Sequence, residues 1–184
     1  MPKIINTPLT RETVKTLKCG DEVLISGTIF TARDAAHKKL CALIAEGKEL
    51  PMDLRDQIIY FAGPTPARPG NPIGSVGPTT SYRMDLYSPT VIEKCGLTGM
   101  IGKGKRSQEV KEAMKKFGAV YFAAIGGAGA LIAQTVIAAE VIAYPELGPE
   151  AIRKLTVKDF PAIVATDSDG NDLYESGFLK YKED

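Results

Sequence analysis

Hydrophobic and polar positions change period several times along this chain, and each change marks an element. In LTRETVKTLKCGD (9–21), Val14 and Leu17 precede Gly20, which predicts a short helix or turn stopped by glycine. EVLISGTIFTAR (22–33) is rich in β-branched and apolar residues and predicts a strand. DAAHKKLCALIAEG (34–47) sets Ala36, Leu40, Leu43 and Ile44 at helical spacing, with Asp34 as N-cap and Gly47 as stop. QIIYFAGP (57–64) predicts a buried strand ending at Gly63-Pro64. Proline and glycine are too dense in 63–80 for either regular element, and a loop this long is usually functional or disordered. It runs straight into Thr79, Thr80, Ser81, Tyr82 and Arg83, which favours function. Beyond it the pattern predicts a helix (88–96), a strand (97–104), a helix (108–118) and a strongly buried strand (119–127). GALIAQTVIAAEVIA (129–143) reads as a helix opened by glycines, and 154–176 as two short strand-like runs with an Asp-Gly-Asn-Asp turn. The alternation predicts a mixed α/β layered fold in a single domain over 1–184.

Composition narrows the function. The chain has 184 residues, 44% hydrophobic, and a net charge of +1, which argues against binding nucleic acid or an anionic membrane by bulk charge. The start has no apolar signal core, and the apolar stretch from Ala119 to Ala143 is broken by three glycines, Gln134 and Glu140, so no membrane span and a cytoplasmic location are expected. Cys19, Cys41 and Cys95 are odd in number and far apart, with no Cys-x-x-Cys pair. They read as packing residues ahead of cluster ligands, although thiolates can hold iron–sulfur clusters.

Four segments and one histidine carry candidate chemistry. Arg33, where a strand gives way to a helix, can meet an anion together with the helix amides, or be a surface arginine beside a capping Asp34. Thr79, Thr80, Ser81 and Arg83 combine short hydroxyls with a rigid guanidinium fork, a set that fits a carboxylate or phosphate, or else caps the next helix. LTGMIGKGK hints at a phosphate loop but has Leu97 and Gly104 where that motif needs Gly and Ser/Thr. What survives is Lys103 between two glycines, an anion contact or a solvated lysine. Gly126-Gly127-Ala128-Gly129 fails the dinucleotide spacing at Ile132 and suits close backbone packing. His37 lies four residues after Arg33, as a structural histidine or a site neighbour. No Ser-His-Asp set, histidine-rich metal set or paired-carboxylate motif is present.

Read together, SGTIFTARDAAHKKL, GPTTSYRMD, GLTGMIGKGK, YFAAIGGAGAL and DFPAIVATDSDGNDLY resemble, in order, the beta subunit of the iron–sulfur-dependent fumarate/tartrate hydro-lyases. The same module forms the C-terminal domain of single-chain class I fumarases. The resemblance implies a swivelling β/β/α domain paired with an alpha subunit that holds a [4Fe–4S] cluster through its own cysteines. An alpha2beta2-type assembly is expected, or a homodimer in isolation. It also implies that Arg33 and Arg83 clamp the carboxylates of a small dicarboxylate, that Lys103 adds charge, and that Thr79 and Thr80 border the reacting carbons. Thr79 corresponds to the proposed proton-transferring base, and the three cysteines fall at no motif position. The implied reaction is reversible hydration of fumarate to malate. Tartrate dehydration and a non-catalytic dicarboxylate-binding domain are the alternatives.

Overall fold

In the computed structural model, residues 1–182 are described. The strands are β1 (Lys3–Asn6), β2 (Glu22–Thr31), β3 (Ile58–Tyr60), β4 (Gly99–Gly102), β5 (Val120–Ala123), β6 (Val136–Ala143) and β7 (Ile152–Thr166). The helices are α1 (Arg11–Thr16), α2 (Asp34–Ala45), α3 (Ser88–Cys95), α4 (Gln108–Phe117), α5 (Gly129–Ala133) and α6 (Leu173–Ser176). Strand order is β1-β2-β3-β4-β5-β7-β6, with β2 also paired to β7, so the sheet closes into a barrel-like mixed α/β arrangement. From β2 to β5 all neighbours are parallel, while β7 runs antiparallel to β2, β5 and β6.

Parallel strands covered on both faces need apolar residues at every position, and β3 shows it. Ile58, Tyr60 and Ala62 face the barrel interior with Ile25, Ile29, Val120, Phe122 and Phe160. Ile59 and Phe61 face outward and pack with Leu40, Val91, Met100, Met114 and Tyr121 under α2, α3 and α4. The outer helices are stopped where the sequence stops them: Gly96 and Gly118 take left-handed conformations after α3 and α4, and the Ser107 hydroxyl caps α4.

Three expectations change. The predicted helix 129–143 ends at Ala133, and Val136–Ala143 is a strand paired to β7. Its alanines suit a helix, but its β-branched residues gain a partner strand that a local reading cannot see. The two short runs after 154 are one strand. Opposite Ser26 the register slips between Ile25↔Phe160 and Gly27↔Val157, so two residues of β7 oppose one of β2. Asp159 takes positive φ in that bulge, so the chain bends there without breaking the strand. Asp34 is the first helical residue rather than the N-cap of α2; Arg33 occupies that position and makes no side-chain cap. Glu150 supplies the missing acceptor, taking the Ala35 N–H at 3.1 Å.

Candidate functional site

Because β2, β3, β4 and β5 are parallel neighbours, their C-terminal ends lie on one edge of the barrel, the end at which parallel α/β sheets and barrels carry their ligand sites. Each end delivers one of the four sequence segments. β2 leads to Arg33, β3 to Phe61 and the 63–80 loop, β4 to Lys103, and β5 to Gly126-Gly127.

Backbone contacts stitch these ends together. The Thr79 amide and hydroxyl both donate to the Phe61 carbonyl at 2.8 Å, which leaves the hydroxyl oxygen with free lone pairs. Thr80 and Lys103 form a parallel bridge, and the Ser81 amide donates to the Lys103 carbonyl at 2.9 Å. Small residues make room for the cations. A Cβ on Gly63 would lie 3.0 Å from the Arg33 guanidinium, and one on Gly126 would lie 3.9 Å from Lys103 Nζ. Gly129 packs on Gly77, and its carbonyl takes the Val76 N–H at 3.1 Å, which anchors the long loop to the barrel. The Tyr60 hydroxyl adds a bond to the Val76 carbonyl at 2.7 Å. That proline-glycine loop is thus folded back onto the site.

Each arginine has a carboxylate beside it. Arg33 pairs with Glu150 at 3.2 Å, and Arg83, in the turn Ser81–Met84, pairs with Asp34. Arg33 Nε and Asp34 Oδ1 are buried without a hydrogen-bond partner, so an open donor and an open acceptor remain there. Thr79 and Thr80 are half-buried, while Arg83 and Lys103 are exposed. The arrangement gathers two guanidinium forks, one ammonium and a hydroxyl acceptor on one open edge, chemistry suited to a small multi-carboxylate anion.

His37 is a support rather than a proton donor. It is 1% exposed, its Nδ1 lies 2.9 Å from the Arg33 carbonyl, and its ring packs against Phe61 and Tyr87. Burial pulls its pKa down to about 4, so the imidazole is neutral at pH 7.

Several supporting residues have no local sequence signal. Glu150 lies 115 residues from the amide it caps, so only the fold reveals it. Arg106 hides behind the lysines of KGK yet is the buried cation. Its guanidinium meets Asp85 at 2.7 Å and Ser88 Oγ at 2.7 Å, between the rings of Phe61 and Tyr121. Tyr121 and Tyr174 read as core and tail residues but both reach Gly104.

The donor set of the described residues does not fit an iron–sulfur cluster. Among the described residues no three His, Cys, Asp or Glu side chains converge as a metal site. Burial pushes all three thiols up, Cys19 to about 11, away from the thiolate form that binds iron. No helix among the described residues is long and apolar enough to cross a membrane.

A family model described as Fumarase C-terminus matches residues 3–177. The chain is 48% identical over 152 residues to the anaerobic class I fumarate hydratase of Escherichia coli K12, covering 82% of this chain and 28% of that protein. Fumarate hydratase 2 of Leishmania major is 39% identical over 165 residues, with 89% and 29% covered. A Methanocaldococcus jannaschii protein provisionally named L(+)-tartrate dehydratase subunit beta is 41% identical over 172 residues, with 91% and 88% covered. The chain therefore spans under a third of the two fumarate hydratases, but most of the Methanocaldococcus subunit.

Proposed function

This chain belongs to the fumarase C-terminus family, and from that premise we propose that it is the beta-type unit of a hydro-lyase that hydrates fumarate to malate reversibly. The observation that supports the reading is that Arg33, Thr79, Arg83 and Lys103 all stand on segments that follow β2, β3 and β4, parallel neighbours whose ends share one edge of the barrel. The chain acts as one domain over 1–184, a swivelling β/β/α unit, with an alpha-type companion that holds the [4Fe–4S] cluster. The pair assembles as alpha2beta2 in the cytoplasm. The coverage supports the companion, since the fumarate hydratases of this family carry more than twice as much additional chain. So do the exposed Tyr82, Leu86, Ile125 and Leu131, large apolar residues on or beside the site loops that a docked chain would cover.

In this reading Arg33 and Arg83 bind the two carboxylates as guanidinium forks, exchanging Glu150 and Asp34 for the ligand. Dehydration of malate removes a proton from the carbon next to a carboxylate, so negative charge grows on a group that is already anionic. Lys103 and the arginines offset that charge, most strongly once the companion excludes water. Thr79 is the proton-transferring base through its alkoxide: the surrounding cations favour loss of the hydroxyl proton, which in the free chain points to the Phe61 carbonyl, and the alkoxide oxygen then takes the proton from that carbon and is a hydroxyl again. Thr80 borders the reacting carbons and fixes the Lys103 strand end.

The length match to the Methanocaldococcus subunit favours a second reading, the beta subunit of an L-tartrate dehydratase, with the same clamp around a substrate bearing one more hydroxyl. Anaerobic co-purification with the companion chain, followed by assays on fumarate, malate and both tartrate enantiomers, separates the two. Activity on fumarate and malate that needs both chains is expected. Activity on tartrate alone selects the second reading, and activity on none overturns both.

A further inference from the structure

We propose that the Tyr121 hydroxyl is a positioning group for the substrate site, a strut that fixes the loop bearing Thr79 against the loop bearing Lys103. The inference rests on the hydro-lyase reading for its kinetic consequence, but its structural content stands apart from it. Tyr121 lies on β5 with its ring fully buried in the outer core. Its hydroxyl donates to the Gly104 carbonyl at 2.9 Å and lies 2.9 Å from Ser81 Oγ. With its single proton given to Gly104, it takes the proton of Ser81, so the bonds run in one direction from Ser81 through Tyr121 to Gly104.

Both ends of this chain sit next to proposed substrate groups. Ser81 follows Thr79 by two residues, and its amide holds the Lys103 carbonyl. Gly104 follows Lys103 at a φ of 84°, and its own N–H donates to the Tyr174 hydroxyl at 3.0 Å. On the other side of Lys103, a Cβ on Gly102 would stand 1.9 Å from Ser81 Oγ, so the two loops touch without slack. Arg106 lies 5.0 Å over the Tyr121 ring and fixes Asp85, which ends the turn carrying Arg83. Burial raises the Tyr121 pKa, which keeps the hydroxyl a neutral donor at any working pH. Tyr121 touches no reacting atom; it acts through Ser81 and Gly104.

Tyr121→Phe keeps the ring and deletes only the middle of this chain. Two measurements test it. Amide hydrogen exchange on the isolated chain should show Ser81 and Gly104 exchanging at least about tenfold faster, with the amides of β3 and β4 unchanged. In the two-chain enzyme, kcat/KM for fumarate should fall about tenfold, mostly in kcat, because reacting groups shift while the carboxylate clamp remains. Tyr121→Phe combined with Ser81→Ala should lose no more than Tyr121→Phe alone, since both cut one chain. Wild-type kcat/KM in Tyr121→Phe, additive losses in the double variant, or faster exchange spread evenly over the sheet would each overturn the proposal. A wild-type pair that turns over none of the substrates defeats the hydro-lyase reading alone. Exchange at Ser81 and Gly104 then decides whether Tyr121 holds the loops.

Discussion

His37→Phe removes a buried titratable group without emptying its site, and the consequence can be worked out in advance. Burial pulls the imidazole from its ordinary value near 6.5 to about 4. The bond to the Arg33 carbonyl opposes that shift, and the charge of Arg106 adds to it. Between those two values the unfolded chain takes up a proton that the native chain refuses, so stability falls as pH falls. The contribution is complete above about pH 6.5 and is lost as pH drops toward 4. The slope is at most about 1.4 kcal/mol per pH unit, and the whole window is worth about 3 kcal/mol. Phenylalanine keeps the ring contacts with Phe61 and Tyr87, and the His37 backbone amide still occupies the Arg33 carbonyl. Urea unfolding of both proteins at several pH values between 7 and 4 isolates the histidine, because carboxylates distant from it titrate alike in both. The wild type should lose about 3 kcal/mol more than the variant across that range. Parallel pH profiles would refute the assignment of a neutral, buried imidazole under Arg33.

Arg106→Met leaves the Asp85 carboxylate without its cation in a nearly closed site, and should cost about 3–5 kcal/mol of unfolding free energy in denaturant titration. A loss below about 1 kcal/mol would mean that the pair is dispensable. Arg83→Ala in the two-chain enzyme should lower kcat/KM by roughly 100-fold or more, since it removes a charge-assisted fork, and near wild-type activity would take Arg83 out of the site. Replacing Cys19, Cys41 and Cys95 by alanine one at a time should leave the iron content of the two-chain enzyme unchanged. Loss of iron in any one of them would move the cluster onto this chain.

The strands β2 to β5 and the helices over them were legible because each was signed locally. β3 and β5 are unbroken apolar runs, and α4 carries a serine cap and a glycine stop. The candidate cations were legible for a related reason: Arg33 and Lys103 stand where a strand visibly ends, and Arg83 follows the proline-glycine loop. What stayed hidden depends on partners distant in sequence. β6 became a strand because β7 pairs with it, against its alanine-rich composition. β1 has only Ile5 buried and is defined by its register with β2. The carboxylates facing the arginines could not be read at all, since Glu150 and Asp34 meet their partners only after the barrel closes.

The central claim is that Arg33, Arg83, Lys103 and Thr79 together receive a dicarboxylate at the ends of the parallel strands. A crystal structure of the two-chain assembly with a bound substrate dicarboxylate tests it most directly. The account predicts carboxylate oxygens on the Arg33 and Arg83 guanidinia, with Lys103 and the Thr79 hydroxyl facing the carbons between them. A ligand bound elsewhere, with Arg33 still on Glu150 and Arg83 still on Asp34, would contradict it.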